Sequence, residues 1–216
     1  MRKLGVLLLV VGLSLNGWSQ NRGVFSDFGI LVGPGLSHVF GGESWNPAFG
    51  FMLGAETNVY EMNETSALKV GIVFTMQGAA YKEVYSDIYG MALKSALALD
   101  IEYSGKVTLS YIGIPIMYNY RSDNGLYVEA GIQPAFLISA KDKYEGESID
   151  YKDYINSLDI GIPVGAGYWI NERISVGARA VFGLTNINDE SSMDYSSDES
   201  DRNFILMGTV KISVNK

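Results

Sequence analysis

The sequence predicts an all-β fold, an antiparallel up-and-down transmembrane β-barrel of about eight strands that follows a cleaved signal peptide. Three observations carry that prediction. Apolar residues recur at every second position through long segments, short polar turns alternate with long connections, and an apolar N-terminal run follows two basic residues. Composition agrees, because 25 glycines and 14 tyrosines among 216 residues suit strands better than helices. A mean hydropathy of +0.10 is what strands average to when one face meets lipid and the other a lumen.

At the N-terminus, Arg2 and Lys3 precede the apolar run Leu4 to Leu15, and Gly17-Trp18-Ser19 places small residues at the −3 and −1 positions. Cleavage after Ser19 is expected, leaving residues 20–216 as one barrel domain. A membrane anchor is the rival reading of this run, but its roughly 12 residues would rise only about 18 Å as a helix, too little for a bilayer core. No later stretch approaches the roughly 18 uninterrupted apolar residues of a transmembrane helix.

Strands are expected at about 25–38, 46–60, 67–82, 106–120, 126–139, 158–170, 173–187 and 204–214. Alternation is clearest in three of them. Leu158, Ile160, Ile162, Val164, Ala166, Tyr168 and Ile170 share one face, and Asp159, Gly161, Pro163, Gly165, Gly167 and Trp169 the other. Leu126 to Ile138 and Phe204 to Val214 repeat the pattern. Short turns fall at 61–65, at Ser122-Asp123-Asn124-Gly125 and at Asn171-Glu172-Arg173, whose residues suit tight hairpins. Longer connections span 83–105, 142–157 and 188–202, with a shorter one at 39–45. Short turns therefore sort to the periplasmic end and long loops to the outside. An eight-stranded ring is just filled by its own side chains, so a porin is not expected.

Composition also excludes chemistries. Without cysteine there is no disulfide, thiol catalysis, thiolate metal site or lipidated N-terminal cysteine. A formal charge of −8 disfavours nucleic acid as a partner.

The chain resembles the small outer-membrane β-barrel domain proteins of PorT-like type. The residues that carry the resemblance are Tyr111-Ile112-Gly113-Ile114-Pro115, Tyr127 with Ala130-Gly131, and Arg179 followed by Gly183-Leu184-Thr185-Asn186-Ile187. The resemblance implies a bacterial outer-membrane location, a barrel fold and a link to protein secretion in some relatives, with no chemistry.

Glu56, Lys69, Glu129, Arg179 and Lys211 all fall on the expected inner face, three to six residues from a short-turn end. In so narrow a ring they should pair, either as a polar core that sets strand register or as a gated path for ions or small solutes. His38, the one histidine, follows Ser37 near the outer end of the first strand. A rim-active lipid- or peptide-modifying enzyme would use it, but adjacent residues of a strand point to opposite faces, so Ser37 cannot be its partner and one would have to come from another loop, such as Ser191 or Asp194. The acidic run Asp189 to Asp201 offers carboxylates to calcium yet lacks the ligand spacing and turn glycine of an EF-hand loop. Met91, Leu93, Leu97 and Leu99 make the 83–105 connection apolar enough either to extend the strands or to contact a partner. Trp45, Tyr60, Tyr81, Tyr118, Tyr120, Tyr127 and Trp169 sit near strand ends, as an interfacial aromatic belt would place them.

The functional expectation is a non-catalytic outer-membrane barrel that serves at the surface or within a secretion or envelope complex. No cofactor or metal is expected; its partners would be outer-membrane lipid and a protein at the long loops. The rivals are the His38-dependent enzyme and a soluble lipocalin-like barrel with its apolar face turned inward.

Overall fold

In a computed structural model, residues 26–41, 45–84, 102–144, 147–188 and 200–214 are described. The signal-peptide reading, the apolar residues Met91 to Leu99 and the acidic tip 189–199 lie outside them. Alternation organises the rest into β1 (Ser26–Phe40), β2 (Trp45–Asn63), β3 (Ser66–Val84), β4 (Glu102–Gly113), β5 (Ile116–Arg121) and β6 (Leu126–Tyr144). There follow β7 (Glu147–Asp150), a 3-10 turn η1 (Lys152–Tyr154), β8 (Leu158–Trp169), β9 (Ile174–Gly183) and β10 (Arg202–Ser213).

The sheet closes on itself. Neighbouring staves pair antiparallel, β7 adds to the end of β6 alone, and β10 returns to pair with β1 from Gly29↔Ser213 to Phe40↔Arg202. β4 and β5 form one stave, since both pair with β3 on one side and β6 on the other. The break between them falls at Ile114 and Pro115, where Gly71 N–H still donates to the Pro115 carbonyl at 3.0 Å and Ile114 N–H to that of Pro134 at 2.8 Å. Eight staves result, and closure leaves no free edge to be satisfied within lipid. No described helix is long and apolar enough to cross a membrane.

Side chains sort by parity around this ring. Ile30, Leu36, Leu53, Ile72, Leu126, Ile132, Phe136, Leu206 and Ile212 are exposed on the outer face, whereas Leu31, Met52, Val73, Val181, Ile205 and Met207 are buried inside. An outward apolar face this continuous fits lipid as its solvent, and it sets aside the lipocalin-like alternative, which needs the same residues inside.

The strands outrun their expected bounds. β2, β3 and β6 each have 19 residues, roughly twice the 9–11 that cross a bilayer, so they carry the wall well beyond the membrane on the long-loop side. The connections expected at 83–105 and 142–157 are accordingly in part strand. Glu83↔Tyr103 and Val84↔Glu102 prolong the β3–β4 ladder, and β7 pairs with the end of β6. β9 is shorter than expected and stops at Gly183 because the chain then turns over the barrel mouth, where Asn156 N–H donates to the Ile187 carbonyl at 2.7 Å.

One irregularity has a specific remedy. The β2–β3 register slips between Pro47 and Phe51, leaving Gly78 unmatched in the ladder at φ 145°. The Ser37 hydroxyl takes the place of the missing strand partner. It donates to the Gly78 carbonyl at 2.8 Å and accepts from Gly78 N–H at 3.0 Å. A side chain at Gly78 would run into the Val107 carbonyl.

Candidate functional site

The charged inner residues meet where parity puts them, and geometry divides them into two groups. Arg179 on β9 is 2% exposed and lies between two carboxylates. Its Nη1 donates to Glu56 Oε1 at 2.6 Å and its Nη2 to Glu56 Oε2 at 3.2 Å, while Nε reaches Glu129 Oε1 at 2.8 Å. Lys69 closes the quartet, 2.9 Å from Glu129 Oε2 and 3.9 Å from Glu56 Oε2. The planar guanidinium suits this role, because a fork of donors can serve two carboxylates at once where an ammonium cannot. Room for it comes from β8, the strand between β6 and β9, where Gly165 is the register partner of both Glu129 and Arg179 and a Cβ would sit 2.9 Å from Glu129 Oε1.

Lys211 does not join the quartet. It lies nearer the short-turn end and pairs with Asp27 Oδ2 at 2.8 Å, also donating to the Asp27 carbonyl at 3.1 Å. Ser213 Oγ donates to the other carboxylate oxygen at 2.5 Å. Asp27 escaped the sequence reading, although it shares the inward parity of Gly29 and Leu31. It stands at φ 55° within the β1–β2 register shift between Ser26 and Gly29, where regular alternation gives out. Trp169 lines this mouth, with Arg121 over its ring at 4.7 Å and the Lys211 ammonium at 5.6 Å.

The half nearer the long connections is plugged by different chemistry that the sequence reading missed. Val39, Ala79, Val107, Leu109, Tyr111, Ala135, Leu137 and Ala140 form a buried cluster, joined by Ile155 and Ile187 from the connections above. Beneath it Asn203 Nδ2 donates to Asp159 Oδ2 at 2.9 Å and to the Tyr111 hydroxyl at 3.2 Å, and Thr185 Oγ1 donates to Asp159 Oδ1 at 2.5 Å. The space beside this shelf is about 10 Å³, room for one water at most. Tyr151 packs against the same cluster from outside the span, and burial, aided by the Asp142 carboxylate, pushes its hydroxyl above the ordinary range.

The aromatic belt needs correction. Tyr60, Tyr118 and Tyr120 are exposed on the outside as expected, but Tyr127 and Trp169 are buried in the lumen. Trp45 and Tyr81 pack on the inner cluster, their rings 6.0 Å apart. Parity, and not distance from the strand end, decides which way an aromatic points.

His38 stands on the outer side of the wall between outward Leu36 and Phe40, its ring 4.9 Å from that of Phe40. Ser37 points inward and its hydroxyl is committed to Gly78, so Ser37 and His38 do not form a nucleophile and base pair; Ser191 and Asp194 lie outside the described residues. Among the described residues, no group of three His, Asp or Glu side chains is placed to hold a metal.

Comparisons with known proteins agree with this architecture. A family model described as an outer membrane protein beta-barrel domain matches residues 18–189. Among solved structures, the neisserial surface protein A has a TM-score of 0.53 at 13% identity, with 88% of this chain and 98% of that one covered. The attachment invasion locus protein of Yersinia pestis has a TM-score of 0.44 at 13% identity, covering 87% of this chain and 97% of its own. At such identities the first likeness speaks for the fold alone, and the second is too distant to carry an argument. No curated protein matches the chain. With four-fifths of its length inside the family model, the chain belongs to the family of outer membrane protein β-barrel domains, and it resides in the bacterial outer membrane.

Proposed function

We propose that the protein is a non-catalytic surface barrel whose lumen is structural and whose activity lies on its long-loop side. The observation that carries this reading is the Arg179 quartet. Two carboxylates and two cations cancel within it, and Lys211 cancels Asp27, so the lumen presents no ring of one sign to select an ion. Each charged head of the quartet and of the Lys211–Asp27 pair is bonded to another, and the Asp159 carboxylate is held by Asn203 and Thr185. A role within a secretion or envelope complex, of the kind the PorT-like resemblance implies, is the more specific form of this proposal. It rests on the wall that β2, β3 and β6 raise beyond the membrane as a surface for a protein partner.

Electrical recording tests the sealed lumen. Wild-type protein inserted into planar bilayers is expected to add no stable conductance step. Reproducible steps from the unmodified protein would overturn the proposal and favour a gated path.

A further inference from the structure

We propose that the outward face of β3, β4 and β6, just above the apolar belt, holds the phosphate-bearing headgroup of a lipid in the outer leaflet. Lys106 and Lys143 are register partners on β4 and β6, and both point outward. Like charges directly opposite one another repel across a strand pair. Neither lysine makes an ion pair with a described residue, and their other cross-strand neighbours are Ala80 and Ser148, which carry no charge. Lys82 and Lys141 flank them on the same outer face, with Asp150 on β7 opposite Lys141. Lys152 reaches in from η1, its Nζ 3.4 Å from the Ile138 carbonyl. Lys82, Ser104, Lys106, Lys143, Asn46 and Ala80 border an open cavity of about 500 Å³.

The height of this strip selects its occupant. Lys106 lies four residues beyond Ser110, the register partner of outward Met76, which is about 13 Å along a strand and about 10 Å in height at a tilt near 40°. The headgroup layer adds roughly 5–8 Å to each side of the hydrocarbon core, and lysines snorkel to reach it. The opposite wall ends differently, on Phe40, Leu158, Leu184 and Leu206, with Arg202 as its cation. In a chain with an excess of acids, five lysines gathered on one lipid-facing wall are complementary to a bound anion delivered from the membrane. This inference rests on the membrane location and is independent of the sealed-lumen reading.

The test uses the full mature chain refolded in detergent and titrated with an acylated glucosamine disaccharide bisphosphate, with its dephosphorylated form, and with inorganic phosphate. The bisphosphate is expected to bind, and Lys106→Gln with Lys143→Gln to weaken it by ~30-fold, since each cation near an anionic headgroup counts separately. Lys106→Arg with Lys143→Arg should restore binding, and heat-dependent gel mobility verifies that each variant is folded. Equal binding by the glutamine variant or by the dephosphorylated lipid would overturn the proposal. Displacement by millimolar inorganic phosphate would overturn it too, by making this a site for free anions.

Discussion

Arg179→Ala is expected to destabilise the folded barrel by about 3–5 kcal/mol, the usual cost of removing one partner from a buried ion pair. Glu56 and Glu129, exposed by 1% and 6%, would then share only Lys69, and a carboxylate left in a water-poor lumen has no cheap refuge. The comparison that isolates charge from packing is the double variant Arg179→Met with Glu56→Met. It deletes a cation and an anion together and keeps the Lys69–Glu129 pair at 2.9 Å, so it should cost less than Arg179→Ala alone. Urea unfolding of protein folded into lipid vesicles measures both. A loss below about 1 kcal/mol for Arg179→Ala would mean that the lumen is wet and that the quartet is solvated.

Tyr111→Ala should cost a similar amount, about 3–5 kcal/mol, by a different mechanism. The side chain is fully buried at the centre of the upper cluster, wedged between Leu109 and Leu137, and truncation leaves a cavity that rigid strands cannot collapse to fill. Tyr111→Phe separates the ring from the hydroxyl. It keeps the packing and loses only the bond from Asn203 Nδ2 at 3.2 Å, so it should cost about 1 kcal/mol in the same unfolding assay. Equal losses for the two variants would place the stabilisation in the polar shelf and not in the packing.

The contrast between these two regions explains what was legible in the sequence. Glu56, Lys69, Glu129 and Arg179 could be placed together before any coordinates, because a charge on the inner parity of a narrow ring must find a partner. Lys211 could be placed inside but not matched, since its partner Asp27 sits at a backbone irregularity. The upper plug was invisible for another reason. In β4 the inward residues Val107, Leu109 and Tyr111 are apolar and the outward Lys106, Thr108 and Ser110 polar, the reverse of the alternation that lipid imposes, so a rule that sends apolar residues outward assigns this stretch to the wrong side. Long-loop bounds failed because alternation continues past the membrane, and nothing in a strand marks where lipid ends. The role of Ser37 depends on a register slip two strands away, which no local pattern encodes.

The account rests on a ring that closes between β1 and β10 within one chain, and a cross-link reads that seam directly. The natural sequence has no cysteine, so Val32→Cys with Val210→Cys introduces a single clean pair at positions that are register partners. Antiparallel partners have Cα atoms about 4.5–5.5 Å apart, within disulfide reach. Oxidation of this variant in isolated outer membranes should give an intramolecular disulfide in most of the protein, with heat-dependent gel mobility retained. The off-register pair Val32→Cys with Leu206→Cys should remain reduced. Failure of the first pair to link, or linkage of the second in its place, would contradict the closed ring at this register and with it the lumen built inside.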